Sequence, residues 1–244
     1  MFGTVYFRAD AFILQSSRFK DALQRMGCKK PIYVETTAVP DESFSFDTQA
    51  FKATDATGVS EERFNVLFLS RVEKVKGIYE SIEAYRILKE KYPFVTMTIA
   101  GDGSDLKNVK EYVRSKGIEG VEFLGWISSS AKHKAFANAD VYLFPTFWGE
   151  GCPCSVLEAI AYGLPVVTRP VGGIIDLFEK CNVGFMTESG EPKELAGLLQ
   201  KLLLDIDLRL EISGHNRRYA RDNFAASHVA GRLRQVYAEV LTSR

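Results

Sequence analysis

Short apolar runs alternate with segments of helical spacing along most of this chain, and that alternation constrains the fold more than any other feature. Runs such as FNVLFL and VYLF are predominantly apolar, which is typical of strands buried on both faces of a parallel sheet. The segments between them space apolar residues three or four apart, as at Ile78, Ile82 and Tyr85. We predict strands at residues 64–69, 95–100, 121–124, 140–144, 165–168 and 183–186, and helices at 106–116, 129–137, 153–162, 174–179 and 192–204.

Strand and helix in this order predict an α/β fold, a Rossmann-like doubly wound parallel sheet with helices on both faces. Ligands of such sheets bind in a crevice beyond the carboxyl ends of the strands. Arg71, Gly101, Gly125 and Glu150 all follow predicted strands, so we expect them to meet in one crevice. Further helices are expected over residues 217–243.

The turn before the predicted helix 153–162 has the features of an anion site. Pro153 suits the first position of a helix, where its missing N–H is harmless. The backbone N–H groups of Cys154, Ser155 and Val156 would then be unpaired, and the helix dipole adds positive potential to them.

Two glutamates, separated by seven residues, flank this turn. Glu150 precedes the anion site. Glu158 lies five residues after Pro153, which is roughly 7.5 Å along the helix. An anion between two carboxylates that can accept from hydroxyl groups describes a nucleotide-sugar pocket. For an isolated pair of glutamates, a helix-dipole contact and a solvated helix face are the commoner explanation.

A basic loop follows the first predicted strand. Arg71 offers a fork of donors to phosphate oxygens, and Lys76, just before Gly77, offers a mobile point charge. The pair suits a diphosphate, although either residue alone is more often a solvated surface charge.

The stretches FLSRVEKVKGIYE and GEGCPCSVLEAIAYGLPVV together resemble the retaining glycosyltransferases of family four, the group 1 glycosyltransferases of the GT-B fold. The resemblance implies that Glu150 contacts the donor sugar, that Glu158 contacts the ribose, and that Arg71 and Lys76 bind the diphosphate. The chain departs from the family at Ser70, where Gly is commoner, and in its Cys-Pro-Cys turn. From that turn we include Gly151, Cys154 and Ser155 among the candidate donor-binding residues.

Two further segments carry candidate binding residues. The turn with Gly101 and Gly103 resembles a Gly-Asp-Gly turn near the nucleoside in the family, while a dinucleotide fingerprint is disfavoured because Leu106 replaces its third glycine. A turn that needs positive φ explains both glycines without a ligand. Trp126 and Ile127 belong to a segment that resembles the one facing the base, although simple packing also explains an aromatic residue there.

The domain organisation implied by the resemblance is that of one half of a GT-B enzyme. We assign residues 1–62 to a remnant of the N-terminal acceptor domain with its linker, 63–224 to the nucleotide-sugar-binding domain, and 225–244 to a C-terminal helix. Residues 42–62 are polar and are expected to form a flexible connection. The apolar residues of the C-terminal helices are expected to meet a missing N-terminal domain or a second copy of the chain.

Composition excludes several classes of protein. The chain has 31 basic and 31 acidic residues, which leaves no electrostatic footprint for nucleic acid. It has no run of 18 apolar residues and no signal-peptide pattern, which disfavours secretion and membrane spanning. The four cysteines fit no zinc spacing, so we interpret them as reduced thiols of a cytoplasmic protein: Cys28, Cys152, Cys154 and Cys181.

The sequence therefore predicts transfer of a sugar from a nucleoside diphosphate to an acceptor hydroxyl, with retention implied by the resemblance alone. The acceptor would be a glycan or a lipid-linked molecule, in polysaccharide or glycolipid assembly, with peripheral membrane contact. The loops of the site contain no Asp-x-Asp, so we predict no cofactor and no divalent ion. The alternatives are a module that binds nucleotide sugar without turnover, and a GT-B epimerase or phosphorylase. The sequence does not distinguish among UDP, GDP and ADP as the nucleotide of the donor.

Overall fold

A computed structural model describes residues 8–45, 63–149, 151–180 and 182–242. In these ranges, β1 (Phe12–Leu14) and β2 (Ile32–Val34) form a small parallel pair. A separate parallel sheet of six strands contains β3 (Phe64–Leu69), β4 (Val95–Ala100), β5 (Val121–Gly125), β6 (Val141–Phe144), β7 (Val166–Thr168) and β8 (Gly184–Met186).

Helices connect and cover these strands. They are α1 (Ser17–Arg25), α2 (Ile78–Lys91), α3 (Leu106–Ser115), α4 (Ser129–Ala137), α5 (Cys154–Ala161), α6 (Ile174–Lys180), α7 (Pro192–Leu204), α8 (Ile206–Phe224) and α9 (Ala226–Thr242), with short 3₁₀ helices at Asp41–Phe44 and Lys74–Lys76. None of the helices in the described residues combines the length and the apolarity needed to cross a membrane.

The large sheet has the order β5-β4-β3-β6-β7-β8, and every pairing in it is parallel. If the six strands are numbered 1 to 6 along the chain, their order across the sheet is 3-2-1-4-5-6, which is the doubly wound Rossmann order. The predicted fold class is therefore confirmed. The order reverses between β3 and β6, so a crevice opens at the carboxyl ends of these two strands.

Burial explains why the strands could be recognised. The side chains of β6 are all buried, and those of β3 are buried except at its last residue, as expected for the centre of a sheet covered on both faces. The predicted apolar positions of α2 all face this core, namely Ile78, Ile82, Tyr85 and Leu88. The Tyr85 hydroxyl lies 2.7 Å from the carbonyl oxygen of Glu119, which satisfies its polar end.

The predicted boundaries of the strands agree with the structure to within one residue, but the C-terminal helices begin earlier than predicted. We expected them from residue 217, whereas α8 begins at Ile206. The Asp205 side chain accepts from the backbone N–H of Leu208 at 2.9 Å, so it caps the new helix directly after α7 ends. Val229 of α9 is one of the apolar residues expected to meet a missing domain or a second copy, but it is already buried within this chain.

Residues 8–45 are attached to the large domain by polar contacts. The Asp176 carboxylate accepts from the backbone N–H of Ser17 at 2.6 Å and lies 2.8 Å from its hydroxyl. Val39 is fully buried and accepts a backbone hydrogen bond from Ala226 at 3.0 Å. Of the predicted flexible connection 42–62, residues 46–62 lie outside the described part.

A partly buried ion pair joins this N-terminal segment to α9. Both oxygens of Glu35 accept from the guanidinium of Arg232, at 2.7 and 2.8 Å. Burial would raise the pKa of Glu35, but the hydrogen bonds from Arg232 and from the backbone of Thr36 outweigh it and hold this pKa below its ordinary value of 4.5.

This ion pair predicts a pH-dependent stability. A lowered pKa in the folded state stabilises the protein above the unfolded-state pKa, and the gain disappears as pH falls through the folded-state pKa. Glu35→Gln is therefore expected to lose about 1–2 kcal/mol of unfolding free energy at neutral pH. In urea unfolding, this difference from the wild type should shrink steadily below about pH 4.

The matched control is Glu211→Gln, which alters an exposed carboxylate of α8. We expect its free energy of unfolding to equal that of the wild type at every pH. A Glu35→Gln deficit that is constant across the pH range would mean that the Glu35 charge does not contribute to stability.

Candidate active site

A cavity of about 400 Å³ lies at the carboxyl ends of β3, β4 and β5, against the N-terminal half of α5. Its volume lies in the range of about 300–1,000 Å³ that is common for ligand sites, and its position is the predicted crevice. The predicted site residues that line it are Arg71, Gly101, Trp126, Ile127, Cys154, Ser155 and Glu158. Three others lie outside its lining, namely Lys76, Gly103 and Gly151, and Glu150 lies outside the described residues.

Two glycines fix the loop that carries Arg71. Gly101 has a φ of 139°, and a Cβ there would lie 1.9 Å from the carbonyl oxygen of Ser70. A Cβ at Gly103 would lie 2.5 Å from the carbonyl oxygen of Val72. Backbone thus packs directly on backbone to either side of Arg71, which only glycine permits. The Gly-Asp-Gly turn positions the basic loop, and only Gly101 of the two also faces the cavity.

The Arg71 side chain is available to an incoming anion. It is 63% exposed, and its Nη1 lies 2.9 Å from Oε1 of Glu73. An exposed pair of this kind contributes little to stability, so a ligand phosphate can replace Glu73 without a large penalty.

Lys76 differs from Arg71 because it is buried, at 4% exposure. It ends the 3₁₀ helix that follows β3, and the next residue, Gly77, has a φ of 78°. A Cβ at Gly77 would lie 2.4 Å from the carbonyl oxygen of Pro145, so this turn packs against the end of β6. Lys76 therefore lies near the point where the strand order reverses, and its proposed contact with a diphosphate stays a prediction.

The N-terminus of α5 presents free donors to the cavity. Pro153 precedes the helix and provides no side-chain cap. The N–H of Val156, which we expected to be free, donates to the carbonyl oxygen of Pro153 at 3.0 Å. Within the described part of the chain, the N–H groups of Cys154 and Ser155 have no acceptor. The anion site thus has two free donors where three were expected.

A tyrosine that the sequence interpretation missed ties this helix to β3. The Tyr142 hydroxyl lies 2.8 Å from the carbonyl oxygen of Leu69 and 2.8 Å from Oγ of Ser155. It bridges the last residue of β3, next to the Arg71 loop, and the first turn of α5. The signal in the sequence was a polar atom inside the otherwise apolar run VYLF.

Glu158 has a partner that was also missed. Its side chain is 14% exposed, and its Oε1 lies 2.5 Å from Nζ of Lys132, which lines the same cavity from α4. Lysines on helices are usually solvated, so the pattern of α4 offered no signal for this contact.

Trp126 stands at the opening of the cavity. It follows Gly125, whose φ of 65° turns the chain at the end of β5, and it is 74% exposed. Ile127 lines the cavity beside it. An exposed ring and an aliphatic side chain together provide a surface on which a planar group can stack.

The N-terminal segment holds the loop that contains Gly151. A Cβ at Gly151 would lie 2.4 Å from Oε1 of Gln15, and a Cβ at Gly173 would lie 1.9 Å from the carbonyl oxygen of Gly151. Further along, the Thr37 hydroxyl donates to the carbonyl oxygen of Cys152 at 3.5 Å. Gly151 therefore faces the N-terminal segment, and Gln15 and Thr37 support the loop beside the site.

The described cysteines agree with the expected reduced thiols. Cys28, Cys152 and Cys154 are free, while Cys181 lies outside the described residues. Burial raises the pKa of the Cys152 thiol to about 12, so it stays protonated and unreactive. Cys154 is exposed and lines the cavity.

One Asp-x-Asp does occur in the chain, at Asp205-Ile206-Asp207, outside the loops of the site. It begins α8, where Arg209 lies over the ring of Phe64 at 5.3 Å. Phe64 is the first residue of β3, so this motif lies at the edge of the sheet opposite the cavity.

A larger depression, of about 780 Å³, lies over β4, β5 and α4. Its buried polar groups satisfy one another, since Nδ2 of Asn65 donates to Oγ1 of Thr98 at 3.1 Å. The free donors and the cavity-facing charges described above belong to the smaller cavity, which we therefore take as the functional site.

Comparison with protein families gives a match over the part of the chain that contains the cavity. Residues 51–219 match the family model described as "Glycosyl transferases group 1". The match includes β3 and continues through most of α8, and it includes every residue named above as lining the smaller cavity.

Two curated relatives show the extent of the similarity. Spore coat protein SA of Bacillus subtilis (strain 168) is 28% identical over 180 residues, which are 70% of this chain and 48% of the relative. The amylovoran biosynthesis glycosyltransferase AmsK of Erwinia amylovora is 29% identical over 204 residues, 80% of this chain and 48% of the relative. The chain spans about half the length of the curated relatives it matches.

A solved structure extends the likeness to nearly the whole chain. The crystal structure of Anabaena Alr3699/HepE in complex with UDP-glucose is similar with a TM-score of 0.78 at 25% identity. The alignment covers 97% of this chain and 64% of that one.

Proposed function

The chain belongs to the group 1 glycosyltransferases, and from that premise we propose that it binds the nucleotide-sugar donor of a family-four, retaining glycosyltransferase. The reaction would transfer a sugar from a nucleoside diphosphate to an acceptor hydroxyl. One observation carries the proposal. A single cavity at the reversal of strand order collects an exposed guanidinium, two free helix N–H groups, a mostly buried carboxylate and an exposed indole ring.

Each of these groups suits one part of a nucleotide sugar. Arg71 and the first turn of α5 would bind the diphosphate, together with Lys76. Glu158 would accept from the ribose hydroxyl groups, and Trp126 with Ile127 would contact the base. Glu150, which lies outside the described residues, would orient the hydroxyl groups of the donor sugar.

The chemistry follows from where charge develops. Departure of the nucleoside diphosphate leaves an oxocarbenium-like sugar and concentrates negative charge on the leaving phosphate. Arg71 and the α5 N–H groups are fixed positive groups next to that position, and they stabilise the charge with little reorganisation. We therefore propose that transfer needs no divalent ion.

The relatives indicate which molecules to test first. The Anabaena protein was crystallised with UDP-glucose, which supports UDP as the leading nucleotide. A further relative, the capsular polysaccharide biosynthesis glycosyltransferase CapM of Staphylococcus aureus, supports polysaccharide assembly as the setting. We propose that the acceptor is a glycan or a lipid-linked molecule at a membrane surface. The free thiols of Cys28, Cys152 and Cys154 support a cytoplasmic location.

Binding without turnover is the second candidate function. The described groups of the cavity all suit the donor, and none of them is placed to activate an acceptor hydroxyl. Release of free glucose from UDP-glucose, or transfer to an added acceptor, separates the two functions.

The test is calorimetric titration of the purified chain with UDP, GDP and ADP, each with and without EDTA. We expect one nucleotide to bind with a Kd below about 1 mM and with equal affinity in both conditions. A folded chain that binds none of the three would contradict the proposed function. Binding that EDTA abolishes would contradict the metal-independent mechanism alone.

A further inference from the structure

Lys132 and Glu158 form an ion pair inside the cavity although they come from different helices. Nζ of Lys132 lies 2.5 Å from Oε1 of Glu158. The side chains are 32% and 14% exposed, so the carboxylate is the more deeply buried partner. A carboxylate at that depth is stable only with a charged or hydrogen-bonding partner, and Lys132 is the one found among the described residues.

The pair leaves binding capacity on both sides. An ammonium group has three N–H donors, and the bond to Oε1 uses one of them. A carboxylate has about four acceptor positions, so Oε2 can still accept from a ligand. Side by side, the two groups match a cis-diol, whose hydroxyl groups both donate and accept.

We infer that Lys132 is a positioning residue, which holds the Glu158 carboxylate in the orientation that selects a ribonucleotide over a deoxyribonucleotide. This inference rests on the proposed function, because it assumes that a nucleoside diphosphate occupies the cavity. Lys132 acts through Glu158. Loss of its charge frees the carboxylate to turn towards water, so the ribose loses an oriented acceptor while the phosphates keep Arg71 and the α5 N–H groups.

The experiment compares each nucleotide with its deoxy forms. The wild type is titrated with UDP, GDP and ADP, and the tightest is then compared with its 2′-deoxy and 3′-deoxy forms. We expect the wild type to prefer the ribonucleotide by about tenfold or more. In Lys132→Met, affinity for the ribonucleotide should fall about tenfold while affinity for the deoxy forms stays nearly unchanged.

Three variants make the result specific. Lys134→Met removes a lysine two positions along the same helix, which lines the other depression, and should bind as the wild type does. Lys132→Arg keeps the charge and should retain most of the ribose selectivity. Lys132→Met/Glu158→Gln should lose no more selectivity than Glu158→Gln alone, since the two residues act as one unit.

The possible results separate this inference from the proposed function. If the wild type binds but Lys132→Met keeps full ribose selectivity, the inference is wrong and the donor site stands. If Lys132→Met loses affinity equally for the ribonucleotide and the deoxy forms, Lys132 acts on the phosphates or the base, and the inference is again wrong. If the wild type binds no nucleotide, both fail together. Thermal melting checks the fold, and Lys132→Gln, which keeps a neutral donor, replaces Lys132→Met if the latter does not fold.

Discussion

Arg71→Ala is expected to weaken binding of UDP, or of whichever nucleoside diphosphate binds best, by about 10- to 100-fold. Hydrogen bonds to charged groups contribute about 1.5–3 kcal/mol each, and about 1.4 kcal/mol corresponds to a factor of ten. The side chain is exposed and bound only weakly by Glu73, so its removal should change affinity much more than stability. Calorimetric titration at low and moderate salt measures the effect.

Arg86→Ala is the matched control for this charge removal. Arg86 pairs with Glu83 and Glu90 on α2, outside the lining of the cavity. Its loss should leave nucleotide affinity unchanged, while Arg71→Lys should recover part of it because a point charge replaces the fork. If Arg71→Ala binds the nucleotide with wild-type affinity, Arg71 is not part of the binding site.

Gly101→Ala is expected to have the largest effect on stability, a loss of about 3–5 kcal/mol in unfolding free energy. Gly101 has a φ of 139°, which side chains rarely adopt, and its new Cβ would lie 1.9 Å from the carbonyl oxygen of Ser70. Relief of that contact has to move the backbone next to Arg71. Nucleotide affinity should therefore fall as well, even under conditions where the variant is folded.

Gly117→Ala separates backbone strain from the steric contact. Gly117 also has a positive φ, of 60°, but a Cβ there meets nothing within 4 Å. We expect a loss of about 1–2 kcal/mol in urea unfolding and unchanged nucleotide binding. Equal losses in the two variants would mean that the packing of Gly101 against Ser70 is unimportant.

The candidate site was predicted from the sequence to different degrees for different residues. Arg71 and Glu158 lie next to elements with strong apolar patterns, so their places could be assigned from the strand or helix that precedes or carries them. Gly103 and Gly151 stay candidate binding residues, and the structure gives each a packing reason, because an added Cβ would meet the backbone of Val72 or the side chain of Gln15. Sequence spacing indicates that a glycine is needed without showing which neighbour requires it.

Other residues carried no signal of their own. Lys132 reaches Glu158 from a helix 26 residues away in the chain, and Tyr142 bridges to Leu69 over 73 residues. Local periodicity cannot report contacts of that separation, because they depend on how the elements pack.

The amino-acid pattern alone was sufficient for the parallel sheet, for the crevice beyond its strands and for the placement of Arg71 and Glu158 at that crevice. These features follow from burial, since a strand covered on both faces must be apolar and its polar neighbours must lie at its ends. Packing in three dimensions was needed to learn that Lys132 holds Glu158, that Gly101 fixes the Arg71 loop and that residues 15 and 37 support the Cys-Pro-Cys turn. Such contacts arise where distant elements meet within a few ångströms, and their geometry depends on the whole core.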